Sequence, residues 1–250
     1  MRQEHITSRQ NPLLVHIRKL QASRSYRKAS GEFAAEGTKL LEEAAKWYPG
    51  LHTVVCREGL RLCKLPEQVR VVTVPEDVFK SISTVDTPQG AIFLCRLPER
   101  QQADLTAGTL LLDGIQDPGN LGTILRTADA LQIPAVLLDG CADPYNPKTV
   151  RASMGAVFRT QPVRMTRQQA IAACRDAGIP LLATAMSADA VDLRQAELHS
   201  AAVIIGSEGQ GICQELFDAA QGKIIIPMSP RCESLNAAVA AAIVLWQMKR

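Results

Sequence analysis

Three polar loops, each following a predicted buried strand, hold the side chains of this 250-residue chain that could do chemistry. In the first loop (residues 114–126), an Asp-Pro-Gly turn brings Asn120 to the start of a predicted helix that also carries Arg126. The free amide donors and the positive dipole of a helix N-terminus favour an anion. Asn120 and Arg126 could therefore bracket an anionic ligand, although Asn120 could also be an ordinary N-cap and Arg126 a surface charge.

The second loop is rich in glycine and carries one carboxylate. Residues 204–211 read I-I-G-S-E-G-Q-G, and three glycines in six residues permit positive φ and a close approach of the backbone to a ligand. The pattern is neither GxGxxG nor a P-loop, so it does not indicate a nucleotide phosphate site. Glu208 stands between glycines directly after a buried strand, a position that favours a functional carboxylate over a structural one.

The third loop (residues 226–236) contains two prolines and leads into an almost uncharged helix predicted over residues 234–249. A helix this apolar is buried on most of its surface, in a core or in an oligomer interface. Ser234 could be the N-cap of this helix. Asn236 is a polar residue in the first turn of a buried helix, so it needs partners, which could be a ligand or a local bond.

The composition excludes several classes of protein. Hydrophobic residues make up 46% of the chain and charged residues 21%, as in globular domains and unlike disordered or fibrous chains. No run reaches the roughly 18 apolar residues of a membrane span, and the N-terminus lacks the apolar run of a signal peptide. These features predict a soluble cytoplasmic protein.

The histidines and cysteines do not indicate a metal site. The four histidines lack the i, i+4 spacing that places two imidazoles on one helix face. The seven cysteines form no CxxC pair, and most of them lie in apolar stretches. We therefore expect no bound metal and reduced, mostly buried thiols.

Buried strands alternate with helices over residues 109–250, which predicts an α/β domain there. Five or six strands joined by helical crossovers, one of them a helix over residues 148–158, imply a mostly parallel sheet with helices on both faces. Ligands bind beyond the carboxyl ends of the strands of such a sheet, and the three polar loops follow strand ends.

A smaller α/β unit is predicted over residues 1–97, and the polar, Pro- and Gly-containing residues 98–108 form the best linker candidate. Residues 1–30 hold seven basic residues against one acidic residue. Such a segment suggests a polyanionic partner, although a solvated helix face would have the same composition. The candidate contacts to a polyanion are Arg9, Arg18, Lys19, Arg24, Arg27 and Lys28.

Taken together and in this order, the three loops resemble one family. The segments N-L-G-T-I-L-R at 120–126, I-I-G-S-E-G-Q-G-I at 204–212 and I-P-M…E-S-L-N-A-A-V-A at 226–240 are similar to those of the SpoU (TrmH-like) class of SPOUT RNA methyltransferases. The resemblance covers about residues 107–250. Residues 1–97 look, by pattern only, like the RNA-binding domain that precedes the catalytic domain in many members.

The resemblance implies transfer of a methyl group from S-adenosylmethionine to a ribose 2′-hydroxyl of ribosomal or transfer RNA. It also implies a trefoil knot near the C-terminus and a homodimer whose interface completes the site. The residues that match the family's catalytic positions are Asn120, Arg126, Glu208, Ser234 and Asn236. The positions that match its cofactor contacts are Thr184, Gly206, Ile226 and Leu235.

The chemistry of the side chains suggests a role for each. An arginine is a poor base because its pKa exceeds about 12, so we expect Arg126 to grip the adjacent phosphate and stabilise the forming oxyanion. Glu208 would orient Arg126 or Asn120, while Asn236 and Ser234 would fix the loop and the ribose. The basic residues of the leading segment would contact RNA phosphates.

Three other functions remain open from the sequence. A non-catalytic RNA- or ribosome-binding protein could keep the fold, a methyltransferase could act on transfer RNA, and a small-molecule enzyme could bind a nucleotide. The intact polar set argues against the first, and the lack of a phosphate loop argues against the third. The large leading domain favours ribosomal RNA over transfer RNA as the substrate.

Overall fold

The computed structural model describes residues 4–99, 105–229, 231–232 and 234–250. Contacts divide the chain into two units: unit 1 comprises Met1–Glu99 and Tyr145–Arg159, and unit 2 comprises Arg100–Pro144 and Thr160–Arg250. Within the described residues, no helix combines the length and the apolar character that crossing a bilayer requires.

The strands and helices alternate along most of the chain. The strands are β1 (Glu4–His5), β2 (Glu32–Glu36), β3 (Leu51–Arg57), β4 (Arg70–Val74), β5 (Ala91–Arg96), β6 (Leu110–Leu112), β7 (Ala135–Leu137), β8 (Val163–Arg164), β9 (Leu181–Thr184), β10 (Val191–Asp192), β11 (Ala202–Ile205) and β12 (Gly222–Ile225). The helices are α1 (Pro12–Ala22), α2 (Arg24–Ser30), α3 (Thr38–Trp47), α4 (Glu76–Lys80), α5 (Pro118–Leu131), α6 (Pro147–Ala152), α7 (Ala156–Thr160), α8 (Arg167–Asp176), α9 (Gln214–Ala219) and α10 (Ala237–Met248). A short 3-10 helix covers Leu193–Gln195.

Unit 1 contains a mixed sheet with the strand order β1-β4-β3-β5-β2. β1 and β3 run parallel to β4, whereas β5 runs antiparallel to β3 and β2. Asn11 is the N-cap of helix α1 and Pro12 its first residue, a combination typical of a helix start. Its apolar stripe packs on one face of the sheet together with Val55 and Val72. The prediction of a small leading α/β unit is confirmed.

Aromatic side chains from distant parts of the sequence pack together elsewhere in unit 1. The ring centroids of Phe33 and Tyr145 are 4.7 Å apart, and those of Phe93 and Phe158 are 5.9 Å apart. Phe33 and Phe93 belong to β2 and β5, whereas Tyr145 and Phe158 come from the segment that returns after residue 144. This segment, which the sequence analysis includes in residues 109–250, therefore supplies part of the core of unit 1.

Unit 2 contains a parallel sheet with the strand order β10-β12-β9-β11-β6-β7-β8. Leu111 and Ile204 share a core with residues of α8 and α9 on one face. Their neighbours Leu112 and Ile205 point to the opposite face, because side chains alternate along a strand, and they too are buried. Helix α10 packs against α5 and β11. The predicted α/β fold with a mostly parallel, doubly covered sheet is thus confirmed; the knot stays a prediction.

Two predicted helices differ from those observed. The helix expected over residues 148–158 is split into α6 and α7, because Met154 (φ 48°) and Gly155 (φ 89°) adopt left-handed backbone conformations between them. The last helix begins at Ala237 rather than at residue 234, and Asn236 is its N-cap. Both differences are local. The sheet of unit 2 also has seven strands where five or six are expected, and two of them, β8 and β10, are only two residues long.

Candidate functional site

Three adjacent parallel strands end at one edge of the sheet of unit 2, and three of the four predicted cofactor residues lie there. Thr184 is the last residue of β9, Gly206 follows β11 and Ile226 follows β12. In the sheet β9 lies between β11 and β12, with Ala183 opposite Ile204 and Thr184 opposite Ile224. The hydroxyl of Thr184 donates to the carbonyl of Ile204 at 2.9 Å, which fixes that side chain to the neighbouring strand. The strand order thus brings these loops together.

Helix α5 presents Asn120 in its first turn. Asp117 is the N-cap of α5, and its Oδ1 accepts a hydrogen bond from the backbone N–H of Asn120 at 2.8 Å. Pro118 occupies the first helical position. The alternative that Asn120 is the N-cap is therefore wrong, and its side chain is left to make other contacts.

The Glu208 loop (residues 206–212) is a tight turn. The backbones of Ser207 and Gly211 exchange two hydrogen bonds of 3.0 Å, and Gly211 has a φ of 65°. A Cβ atom at Gly206 would lie only 2.3 Å from the carbonyl carbon of Gly211, so no other residue fits there without moving the turn. The close packing of its two sides holds Glu208 at the exposed tip.

The carboxylate of Glu208 joins the three polar loops. Its Oε1 accepts hydrogen bonds from Nδ2 of Asn120 at 2.8 Å, from Nδ2 of Asn236 at 2.8 Å and from the backbone N–H of Ala237 at 2.9 Å. Nδ2 of Asn236 also lies 3.1 Å from Oδ1 of Asn120. We call Asn120, Glu208 and Asn236 the polar triad. The negative charge of Glu208 sits at the N-terminus of α10, where the helix dipole favours it.

Asn236 has two functions in this arrangement. Its Oδ1 accepts hydrogen bonds from the backbone N–H groups of Ala238 (3.0 Å) and Val239 (3.3 Å), as an N-cap does, while its Nδ2 contacts the rest of the polar triad. The alternative that Ser234 caps the helix is wrong. Ser234 is exposed two residues before the cap, and its carbonyl oxygen accepts a hydrogen bond from Sγ of Cys232 at 3.3 Å. Leu235, between Ser234 and Asn236, is half-buried.

Arg126 lies apart from the polar triad. It is exposed on α5, six residues after Asn120, which places it on a different face of the helix. Its guanidinium makes no hydrogen bond or ion pair with any other residue that the structure describes. The structure therefore brings together Asn120, Glu208 and Asn236 but leaves Arg126 available to an external anion. The expectation that Glu208 orients Arg126 does not fit these contacts, and Glu208 orients Asn120 instead.

An open groove of about 580 Å³ begins at Asn120 and Asn236 and runs along α10. Thr123 of α5 and Arg194 line its other side. Its floor contains large apolar side chains of α10 that are exposed in the single chain, namely Val239 (49%), Ile243 (38%) and Trp246 (64%). We call this the α10 groove. The uncharged sequence of the last helix predicts that most of its surface is buried in a core or in an interface. Within the single chain, these three large apolar side chains of α10 stay exposed.

Most of the predicted RNA-binding cations are accessible on unit 1. Arg9 is exposed and pairs with Asp77 at 2.8 Å, and the half-buried Arg18 donates to the carbonyl of Arg9 at 2.8 Å. The other exposed cations of α1 and α2 in this set are Lys19, Arg24 and Lys28.

Arg27 has a different position, and its assignment as an RNA contact needs correction. It is only 2% exposed, and its Nη1 donates to the carbonyl of Leu20 at 2.6 Å and to that of Gln21 at 3.5 Å. These carbonyls lie in the last turn of α1, where backbone acceptors have no partner within the helix. Arg27 therefore caps α1, and its burial keeps it from an RNA phosphate.

Comparison with known proteins gives two matching family models. The model of the SpoU rRNA methylase family matches residues 108–246, and that of the MRM3-like substrate binding domain matches residues 11–92. The chain is 33% identical to the 23S rRNA (guanosine(2553)-2′-O)-methyltransferase RlmP of Bacillus subtilis over 249 residues, which cover 98% of this chain and 99% of that protein.

Two solved structures with bound AdoMet are similar to the chain over almost its whole length. An AdoMet-bound rRNA methyltransferase from Sinorhizobium meliloti matches with a TM-score of 0.86 and 30% identity, covering 99% of this chain and 97% of that one. The SpoU methyltransferase AviRb from Streptomyces viridochromogenes, in complex with AdoMet, matches with a TM-score of 0.84 and 26% identity, covering 96% and 98%.

Proposed function

The chain belongs to the SpoU rRNA methylase family, and from this premise we propose that it transfers a methyl group from S-adenosylmethionine to a ribose 2′-hydroxyl of ribosomal RNA. The observation that carries the proposal is the polar triad, in which one oxygen of Glu208 holds the amides of Asn120 and Asn236. The Bacillus subtilis relative is named as a 2′-O-methyltransferase of 23S rRNA, which supports the same reaction and substrate class for this chain.

The edge of the sheet at β9, β11 and β12 fits the cofactor. Ile226 and Leu235 are half-buried apolar side chains that can flank an adenine ring, and the loops after Thr184 and Gly206 bring backbone groups to the same edge. We assign the binding of S-adenosylmethionine to these four residues. When bound, the sulfonium supplies an activated methyl group.

The residues of the site then have to present a weakly acidic hydroxyl. A ribose hydroxyl is barely ionised at neutral pH, so it must be held in line at near-attack distance and pass its proton to the adjacent RNA phosphate as the methyl group moves. The polar triad fixes the Asn120 amide at one side of the site. The guanidinium of Arg126 is free of partners in the described chain and would bind the adjacent phosphate and stabilise the forming oxyanion. Ser234 would contact the ribose.

Recognition of RNA is assigned to the leading part of the chain. We propose that residues 1–97 bind the substrate and that residues 109–250, apart from the Tyr145–Arg159 segment of unit 1, carry the catalytic machinery. The linker expected over 98–108 lies partly outside the described residues. Arg9, Arg18, Lys19, Arg24 and Lys28 would contact phosphates without reading sequence, since the phosphate term dominates nonspecific affinity. A ribosomal RNA substrate implies that the chain acts in the cytoplasm.

A second copy of the chain is the proposed occupant of the α10 groove. Three exposed large apolar side chains at helical spacing form a patch of the kind that marks an interface, and the groove is continuous with the polar triad. A homodimer formed through this face would bury the patch and place the partner beside Asn120 and Asn236. The catalytic site would then be completed across the interface.

Mapping 2′-O-methyl groups in total RNA from cells with and without the chain tests the proposal. Loss of one ribosomal RNA site, restored by the purified protein with S-adenosylmethionine, is the expected result. Loss of a transfer RNA site instead would correct the substrate. If no site changes in either RNA and the protein transfers no methyl group, a binding protein that keeps the fold replaces the enzyme.

A further inference from the structure

Asp113 contacts both ends of the Glu208 loop. It directly follows β6 and is only 1% exposed. Its backbone N–H donates to the carbonyl of Ile205, the residue before the loop, at 2.9 Å. Its Oδ2 accepts a hydrogen bond from the N–H of Cys213, the residue after the loop, at 2.8 Å. One residue therefore holds the base of the loop from both sides.

The second carboxylate oxygen of Asp113 is held by Arg167. Nε of Arg167 donates to Oδ1 of Asp113 at 2.8 Å, and the backbone N–H of Arg167 donates to Oδ2 of Asp139 at 2.9 Å. A buried carboxylate is costly unless it is paired and hydrogen-bonded, and both oxygens of Asp113 have partners. Arg167 starts α8, so the loop base is tied to a helix that has no other part in the site.

The loop between these two anchored ends is rigid and therefore fixes the position of Glu208. Between the two anchored ends, Ser207 and Gly211 hold each other through two backbone hydrogen bonds, and Gly206 packs against Gly211. Glu208 lies at the tip of this rigid turn. Asp113 also precedes the segment that leads to Asn120. The same residue therefore adjoins both the segment that carries Asn120 and the loop that carries Glu208.

We propose that Asp113, fixed by Arg167, is a positioning residue that sets where the Glu208 carboxylate meets Asn120 and Asn236. The proposal rests on the proposed function for its catalytic consequence. Asp113 touches neither the ribose nor the cofactor. Its effect on methyl transfer passes through Glu208, and that dependence distinguishes it from a residue that only stabilises the fold.

A double-mutant cycle on the full-length protein tests this dependence. Asp113→Asn keeps the shape and an oxygen for Cys213 but removes the ion pair to Arg167. We expect it to lower kcat about 10- to 100-fold when Glu208 is present, and less than about threefold in the Glu208→Ala background, where the contacts of the carboxylate are gone. The same loss in both backgrounds would overturn the proposal. Asp176→Asn, at an exposed ion pair of α8, is the matched control and should leave kcat unchanged.

Variants of Arg167 test the same proposal if Asp113→Asn does not fold. Arg167→Gln should lower kcat through the same coupling to Glu208, and Arg167→Lys, which keeps the charge, should restore part of it. Equal kcat values for the two Arg167 variants would contradict the proposal.

Hydrogen exchange tests the anchoring without any assay of methyl transfer. Asp113→Asn should speed the exchange of the amides of Ser207, Gly211 and Cys213 about 10-fold or more, whereas Asp176→Asn should not. Unchanged exchange in Asp113→Asn would overturn the proposal even in an active protein. A wild-type chain that methylates no RNA would contradict the proposed function only, because the exchange result decides the role of Asp113 separately.

Discussion

The side-chain amide of Asn236 lies 3.1 Å from the amide oxygen of Asn120, although 116 positions of sequence separate them. Both amides also donate to the same oxygen of Glu208, at 2.8 Å each. Each amide is therefore oriented by the other two members of the polar triad. Since its members share their hydrogen bonds, changes within the triad should be strongly non-additive.

Removing the Glu208 carboxylate should disable the polar triad. Glu208→Ala deprives two side-chain amides and one backbone N–H of their acceptor, so we expect kcat for RNA methylation to fall about 100-fold or more. Glu208→Gln keeps an oxygen but loses the charge and should have a smaller effect. Glu215→Gln, an exposed acid on α9, is the control. Turnover within threefold of wild type in Glu208→Ala would refute the role of the carboxylate.

Arg126 should affect the chemical step rather than cofactor binding. Because its guanidinium is free of partners in the described chain, Arg126→Ala should lower kcat about 100-fold and leave the dissociation constant of S-adenosylmethionine unchanged. Arg126→Lys keeps the charge but not the two-pronged contact to a phosphate, and should be intermediate. Arg175→Ala, at an exposed arginine of α8, should behave as wild type. Normal turnover of Arg126→Ala would remove this arginine from the mechanism.

The exposed cations of unit 1 should set the salt dependence of RNA binding. Neutralising Lys19, Arg24 and Lys28 to glutamine together should weaken affinity and flatten the slope of log affinity against log salt by about 2 to 3. The control is a triple glutamine variant of exposed cations elsewhere on unit 1, Lys39, Arg61 and Lys64. If both variants show the same slope as wild type, the leading segment does not contact phosphates.

Disrupting the α10 groove should separate the two copies of the proposed dimer. Trp246→Glu places a charge in the exposed apolar patch, so the protein should run as a monomer in sedimentation and lose methyl transfer. Trp47→Glu changes another exposed tryptophan, on α3 of unit 1, and should keep the dimer. A dimer that survives Trp246→Glu would place the interface elsewhere.

The stability of the chain should fall as the pH is lowered below about 6.5, with His52 as one cause. Burial lowers the pKa of His52, Arg96 and His16 lower it further, and Glu32 opposes the shift. The unfolded chain therefore binds a proton at His52 that the folded chain resists, and stability is lost as pH falls from the ordinary histidine pKa towards the lowered one. His52→Gln should make the drop in Tm between pH 7.5 and 5.5 smaller.

The matched control for this pH effect is His199→Gln, since the side chain of His199 is 73% exposed. It should leave the pH dependence of Tm as in wild type. An unchanged dependence in His52→Gln as well would show that other groups cause the loss of stability.

Local signals in the sequence predict many of these features well. Helix α1 starts at Asn11-Pro12 and helix α8 at the Thr166–Gln169 capping box, and such starts can be recognised in a sequence because caps depend only on neighbouring residues. The sequence also predicts the parallel sheet of unit 2, since buried strands and crossovers leave a recognisable pattern. It likewise indicates Asn120, Glu208 and Asn236 as candidates.

Features that depend on distant contacts escape the sequence. Arg27 looks like any other cation of the leading segment, yet it is buried against the carbonyls that end α1. Asp113 looks like the end of a strand, and only the folded chain brings Cys213 and Arg167 to its two oxygens. Register and tertiary packing decide such contacts, so single-sequence patterns cannot reveal them.

The return of Tyr145–Arg159 into unit 1 limits how the protein can be recombined. A chimera that joins a foreign recognition domain to residues 98–250 would carry Tyr145 and Phe158 without the rings of Phe33 and Phe93 that they pack against. Large aromatic side chains that are left exposed without their packing partners promote aggregation. Grafting a new recognition domain therefore requires redesigning two separate stretches of the gene at once.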